Sequence, residues 1–175
     1  MDYSKLKLGD EAPGVVYAVI EIPQGSSNKY EFDTHFEAIK LDRVFYPPFD
    51  YPGEYGFMPQ TVSGDGDLAD ILVLISQPTF SGCLLKAKPI GLLKMEDSGE
   101  LDYKVLAAAF DDPSYKDINN YQDLPDYLIK QIETFFKNYK KLEDKITKIS
   151  GWEDEKKTRE YIQSVHQKYL ELKNK

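Results

Sequence analysis

The sequence predicts an α+β fold that is mainly β: short strands forming a closed or nearly closed antiparallel barrel, packed by two C-terminal helices. Two observations carry this. Short apolar segments separated by turn residues fill the first two thirds of the chain, and in the last third the apolar period lengthens to helical spacing. A third observation sets the scale. With 175 residues, 41% hydrophobic content, 13 Tyr and 9 Phe, residues 1–175 suffice for a single domain with a core of large, rigid side chains.

VVYAVIEI (15–22) is β-branched and apolar, and the turn PQGSSN follows it. KYEFD (29–33) and IKLDRV (39–44) alternate as half-buried strands do. ILVLI (71–75) and CLLKAKPIGLL (83–93) continue the set, and MEDSGELDYKVLAAA (95–109) reads as a hairpin turned at Ser98-Gly99. The next stretch changes period. Leu128, Ile132, Phe135, Phe136, Tyr139 and Leu142 form one helical stripe, and Pro125 suits the first position of that helix. A second helix is expected from Glu153 to about Leu172, with Tyr161, Ile162, Val165, Tyr169 and Leu170 on its apolar face.

Composition excludes several classes of function. A net charge of −8 disfavours nucleic acid or an anionic membrane as partner. No segment approaches the roughly 18 apolar residues that span a bilayer, and the N-terminus lacks a signal-peptide pattern, so a cytoplasmic location is expected. The single cysteine, Cys83, cannot form an internal disulfide and reads as a buried structural thiol. His35 and His166 read as solvated surface.

The informative stretch is DGDLADI (65–71), with Asp65, Asp67 and Asp70 crowded before an apolar strand. It is not an EF-hand loop, because the sixth and twelfth positions are Asp70 and Ser76 rather than Gly and Glu. Further carboxylates gather with it: Asp97 and Asp102 flank one hairpin turn, Glu21 ends the first strand and Glu31 lies in the second. Hard oxygen ligands of this kind suit Mg²⁺ or Mn²⁺. Basic residues interleave with them. Lys29 precedes Glu31 by two and Lys104 follows Asp102 by two, a spacing that shares one face of a strand, while Arg43 adjoins Asp42. Acids and bases alternating at separate strands are expected where metal meets phosphate.

The ordered set EIPQGSSNKYEFD, DR at 42–43, YPGEYGFMPQT, DGDLADI, DSGELDYK, FFKNYKKLE and ISGWED resembles the soluble, family I, Mg²⁺-dependent inorganic pyrophosphatases. The resemblance implies a five-stranded barrel of OB-like topology that hydrolyses pyrophosphate to two orthophosphates. Several Mg²⁺ ions per site would assist attack by a metal-bound water. It implies metal ligation by Glu21, Asp65, Asp70, Asp97 and Asp102, with Asp67 taking the proton of the attacking water. Lys29, Arg43, Lys104, Tyr139 and Lys140 would hold phosphate, and Tyr55 and Glu31 would complete the catalytic set. A homo-oligomer, with a hexamer favoured, is implied as well. The chain departs from the family pattern at Leu68, usually Pro, and at Glu54, commonly Asn beside Tyr55. Thr134 and Asn138 stand where bacterial members often carry interface histidines. Two competing readings are a catalytically weakened metal- and phosphate-binding relative and an OB-like nucleic-acid binder, the latter opposed by the acidic balance.

Overall fold

In the computed structural model, residues 5–33, 35–45, 49–143 and 146–174 are described; the expected stripe residue Leu142 contributes no described side chain. The strands are β1 (Val16–Ile22), β2 (Asn28–Asp33), β3 (Ala38–Val44), β4 (Glu54–Phe57), β5 (Asp70–Leu74), β6 (Leu84–Asp97), β7 (Glu100–Leu101), β8 (Lys104–Ala109) and β9 (Thr147–Glu153). The helices are α1 (Asp126–Asn138) and α2 (Glu155–Lys173). Five strands close on themselves in the order β1-β4-β5-β8-β6, with β6 pairing back onto β1. Numbered along the chain, the barrel strands run 1-2-3-5-4-1, an OB-like order. Four seams are antiparallel, and the β5–β8 seam is parallel.

Closure explains the strand sequences. Ile71 and Val73 face one side of β5 while Leu72 and Leu74 face the other, and both faces are buried. β8, KVLAAA, is buried at every position, so small residues are needed where packing presses from both sides. One face meets α2 through Ile162 and Val165, and the other meets α1 through Ile132, Phe135 and Phe136. β6 is long enough to serve the barrel and then pair with β9 and β7. A bulge between Pro89 and Gly91 bends it, where a proline is tolerated in the ladder. The hairpin β2–β3 stands apart from this sheet and leans on it, with the Phe32 ring 5.7 Å from Phe57.

Most expected elements are present, with three corrections. Neither β4 nor β9 was expected from the pattern. EYGF is four residues long and wholly buried, so it shows no alternation. TKISGWE has Gly151 in its middle and sits between two helices, which disguises it. On α2, Leu170 is 37% exposed, so the buried face ends at Val165, with Tyr169 half-covered. Asp154 caps this helix, its carboxylate accepting the Lys157 N–H at 2.9 Å. Cys83 is partly rather than fully buried.

The closing seam makes one stringent demand. Gly56 pairs with Ile20, and a Cβ at this position would lie 1.9 Å from the Val19 carbonyl oxygen. That atom is backbone in a closed barrel and cannot yield by changing a rotamer. Gly56→Ala should therefore cost about 3 kcal/mol, lowering Tm by roughly 6–12 °C. Thermal unfolding followed by circular dichroism checks this; an unchanged Tm would mean that the β1–β4 seam is looser than drawn.

Candidate active site

The parallel β5–β8 seam sets Ile71 beside Val105, so Asp70 and Lys104 lie side by side at the starts of their strands. Lys104 points along the same face as Leu106, and its ammonium donates to both Asp70 and Asp102. Only 4% of Lys104 is exposed. Burial pulls its pKa down, but the two carboxylates outweigh that and hold the ammonium above the ordinary lysine range. Its Nζ also lies 5.7 Å from the centre of the Tyr55 ring.

Around this lysine opens a cleft of about 520 Å³. The turn at Ser98-Gly99, both at positive φ, brings Asp97 and Asp102 to one end of the sheet, and Asp97 receives the Lys140 ammonium from beyond α1. On the hairpin wall Lys29 pairs with Glu31 and reaches Asp42 at 3.2 Å. Glu21 accepts the Phe32 N–H at 2.6 Å; burial pushes its carboxyl up to about 8, with Asp70 and Glu31 adding repulsion. Asp102 is raised mainly by burial, which outweighs the pull of Lys104. Tyr55 and Tyr139 form part of the floor, and burial pushes both hydroxyls above the ordinary tyrosine range.

Asp65 and Asp67 sit on the exposed loop between β4 and β5. Burial raises Asp65, but the Ser63 hydroxyl and the Asp67 N–H, the latter at 3.0 Å, bring it below the usual carboxylate range. The Asp67 carboxylate makes no hydrogen bond or ion pair among the described residues.

Every residue given a metal, catalytic or phosphate role from the sequence lines this cleft except Arg43. The Arg43 fork grips Glu143 at 2.7 and 3.1 Å, also contacts Asp42, and lies over Phe45. It stands behind the wall and reaches the cleft through the carboxylate it shares with Lys29. Sequence reasoning missed Tyr51, which lines the cleft and packs 5.1 Å from Tyr55 and 4.7 Å from Phe135. It also missed Glu100, the acid inside the SGEL turn, which could have been counted with its neighbours.

Glu54 is not an extra acid of the site. Tyr55 faces the cleft, so Glu54 on the same strand faces away, fully buried. Its carboxylate accepts the N–H groups of Gln24 at 3.1 Å and Thr79 at 2.9 Å, and the Thr79 hydroxyl at 2.5 Å. Nor is His166 solvated surface. It is half-buried, with Nδ1 2.7 Å from the Gln60 carbonyl oxygen. His35 is exposed, as expected.

The donor set suits hard divalent cations, since carboxylates line the cleft and no soft ligand is found there among the described residues. Among the described residues no three such groups converge on one point. Lysine ammoniums stand between them instead, as Lys104 does between Asp70 and Asp102. Chemically, the arrangement can bind a polyanion together with the cations that neutralise it.

A family model described as inorganic pyrophosphatase matches residues 18–170. The chain is 45% identical over 164 residues to an inorganic pyrophosphatase of Picrophilus torridus, covering 94% of this chain and 93% of that one. It is 46% identical over 154 residues to one from Nostoc, covering 88% and 90%. Among solved structures, the inorganic pyrophosphatase of Thermus thermophilus superposes with a TM-score of 0.94 at 40% identity, covering 97% and 99%. That of Helicobacter pylori gives 0.90 at 35%, covering 95% and 99%.

The orientation of Glu54 yields a test independent of activity. Glu54→Ala leaves two amides and a hydroxyl without their acceptor, and should cost about 3 kcal/mol. Glu54→Gln keeps one acceptor oxygen and should cost about half as much. Urea denaturation of both variants measures this; equal, negligible losses would mean that the carboxylate is not a structural anchor.

Proposed function

The chain belongs to the inorganic pyrophosphatase family, and from that membership we propose that it hydrolyses pyrophosphate to two orthophosphates in the cleft around Lys104. The observation that carries this reading is the alternation of acid and base around one cleft: Lys104 with Asp70 and Asp102, Lys140 with Asp97, Lys29 with Glu31. Such a site neutralises a dense polyanion only if cations join the lysines, and the family implies a divalent metal.

We assign that metal as Mg²⁺, several ions per site with Mn²⁺ as a substitute, held by Glu21, Asp65, Asp70, Asp97 and Asp102. Bound there, the cations would screen the acids, polarise the phosphoryl oxygens and make a nearby water acidic enough to attack phosphorus. Asp67 accepts the proton of that water; its carboxylate is exposed and not committed to any described partner. The new P–O bond forms as the bridging P–O bond breaks, and the bridging oxygen leaves with its electron pair on the second phosphate. Lys29, Lys104, Lys140 and the Tyr139 hydroxyl hold the phosphate oxygens and stabilise this charge. Arg43 contributes once its fork exchanges Glu143 for phosphate. Tyr55 keeps Lys104 in place from below, and Glu31 orients Lys29.

We also read residues 1–175 as one domain that works in the cytoplasm as a homo-oligomer, with a hexamer favoured. No helix among the described residues is long and apolar enough to cross a membrane. Exposed Phe36, Phe80, Tyr127 and Ile146 offer apolar area for contact between copies. A monomer by light scattering at micromolar concentration contradicts the assembly.

Two substitutions separate the assigned roles. Asp67→Asn is nearly isosteric but cannot take a proton at neutral pH, so kcat should fall ~10²–10⁴-fold with little change in KM. Asp70→Asn should instead raise the Mg²⁺ concentration needed for half activity, because a ligand is lost. Steady-state phosphate release across a Mg²⁺ titration measures both. Near-normal kcat in Asp67→Asn, or a loss that excess Mg²⁺ restores, contradicts the assignment of Asp67.

A further inference from the structure

The loop that carries Asp65 and Asp67, and leads into Asp70 at the start of β5, is closed at its base by Thr61. This buried hydroxyl donates to the Met58 carbonyl at 2.6 Å and accepts the Ala69 N–H at 2.9 Å. Inside the loop, the Ser63 N–H donates to the Asp67 carbonyl at 2.8 Å. Residues 60–63 then run along one turn of α2, a helix that contributes no side chain to the cleft. Three contacts join them. The Val62 N–H donates to the Val165 carbonyl at 2.9 Å, His166 Nδ1 meets the Gln60 carbonyl at 2.7 Å, and the Lys168 ammonium donates to the Ser63 carbonyl.

Two features show that the grip is specific. Gln60 has φ of +56°, a left-handed conformation that costs a non-glycine residue free energy and persists only where its surroundings impose it. A carbonyl can only accept, so Nδ1 of His166 carries a proton, and the ring is further fixed by stacking on Tyr169 at 6.4 Å. The helix turn that grips the loop is itself anchored, because Ile162 and Val165 are buried in the core.

We propose that His166 and Lys168 form a clamp through which α2 sets the positions of Asp65 and Asp67, making His166 a positioning residue for cation binding at Asp65. The proposal rests on the reading of Asp65 as a cation ligand. Carboxylates on a loop held in advance bind cations without first ordering the chain, whereas a loosened loop must bear that entropy on binding. Groups that orient metal ligands commonly affect metal affinity tenfold or more, and the clamp acts at that range through the backbone.

The test compares three variants of the full-length protein. His166→Asn offers an amide N–H near the position of Nδ1, His166→Phe offers none, and Lys168→Met removes the second contact at an exposed site. Mg²⁺ affinity is measured by calorimetry without substrate, amide exchange at Val62, Asp67 and Ala69 by NMR, and Tm in metal-free buffer. In His166→Phe, Mg²⁺ affinity should fall roughly tenfold, with faster exchange at Asp67, and His166→Asn should recover most of both. Lys168→Met should shift them in the same direction by a smaller factor, and it decides the matter if His166→Phe fails to fold. A lowered Tm with Mg²⁺ affinity and Asp67 exchange unchanged overturns the clamp, as does an Asn variant no better than Phe. If the wild-type protein binds Mg²⁺ yet releases no phosphate, the functional reading fails while the binding and exchange data still judge the clamp. If it binds no Mg²⁺, the proposal fails with that reading.

Discussion

A single buried ammonium organises this molecule. Lys104 is taken out of water at the start of β8, and its charge is tolerable only because Asp70 and Asp102 accept from it. Those partners come from different elements of the fold. Asp70 is brought there by the one parallel seam of the barrel, and Asp102 by the β7 turn two residues before the lysine. Removing either acid would leave a buried cation half-compensated, so barrel topology and site electrostatics constrain each other. Tyr51, Tyr55 and Tyr139 pack beneath the lysine with Phe135 and Phe136 from α1. This apolar floor keeps water away from one side and strengthens every charge interaction above it.

The same economy explains why so many acids share one opening. Crowded carboxylates repel, and Glu21 shows the strain in a carboxyl pushed up to about 8 chiefly by burial. The fold meets this with three lysines on separate elements, each already engaged with acids. In these pairs the lysines compensate the acids. The β4–β5 loop carries two of the acids that share the opening. Its most exposed acids, Asp65 and Asp67, lie farthest from the sheet, while its base is fixed at Thr61.

Much of this was legible in the sequence, for identifiable physical reasons. β1, β5 and β8 announce themselves because burial on both faces calls for largely apolar runs, and β6 by the apolar stretch PIGLL at its centre. Acid–base spacing of two at Lys29–Glu31 and Asp102–Lys104 gave real ion pairs; β2 sets the first pair on one face, and the second spans the short connection from β7 into β8. Other features needed the three-dimensional structure. The direction of Glu54 follows from β4, which is too short to show a period, and its partners lie 30 and 25 residues away. Arg43 meets Glu143 across a separation of 100 residues, beyond any local pattern. His166 looked like a helix-surface histidine because its acceptor is a backbone carbonyl, which no sequence displays. Tyr51 lies outside any periodic segment and was passed over for the same reason.

On the proposed reading, the acids crowd this cleft because they share cations that act on pyrophosphate. Phosphate release from pyrophosphate by the purified protein, after exhaustive chelation and again with Mg²⁺ restored, tests it most directly. Negligible release is expected from the chelated protein, and rapid turnover once Mg²⁺ is returned. Turnover that survives chelation undiminished, or none at any Mg²⁺ concentration from a folded protein, would contradict that reading.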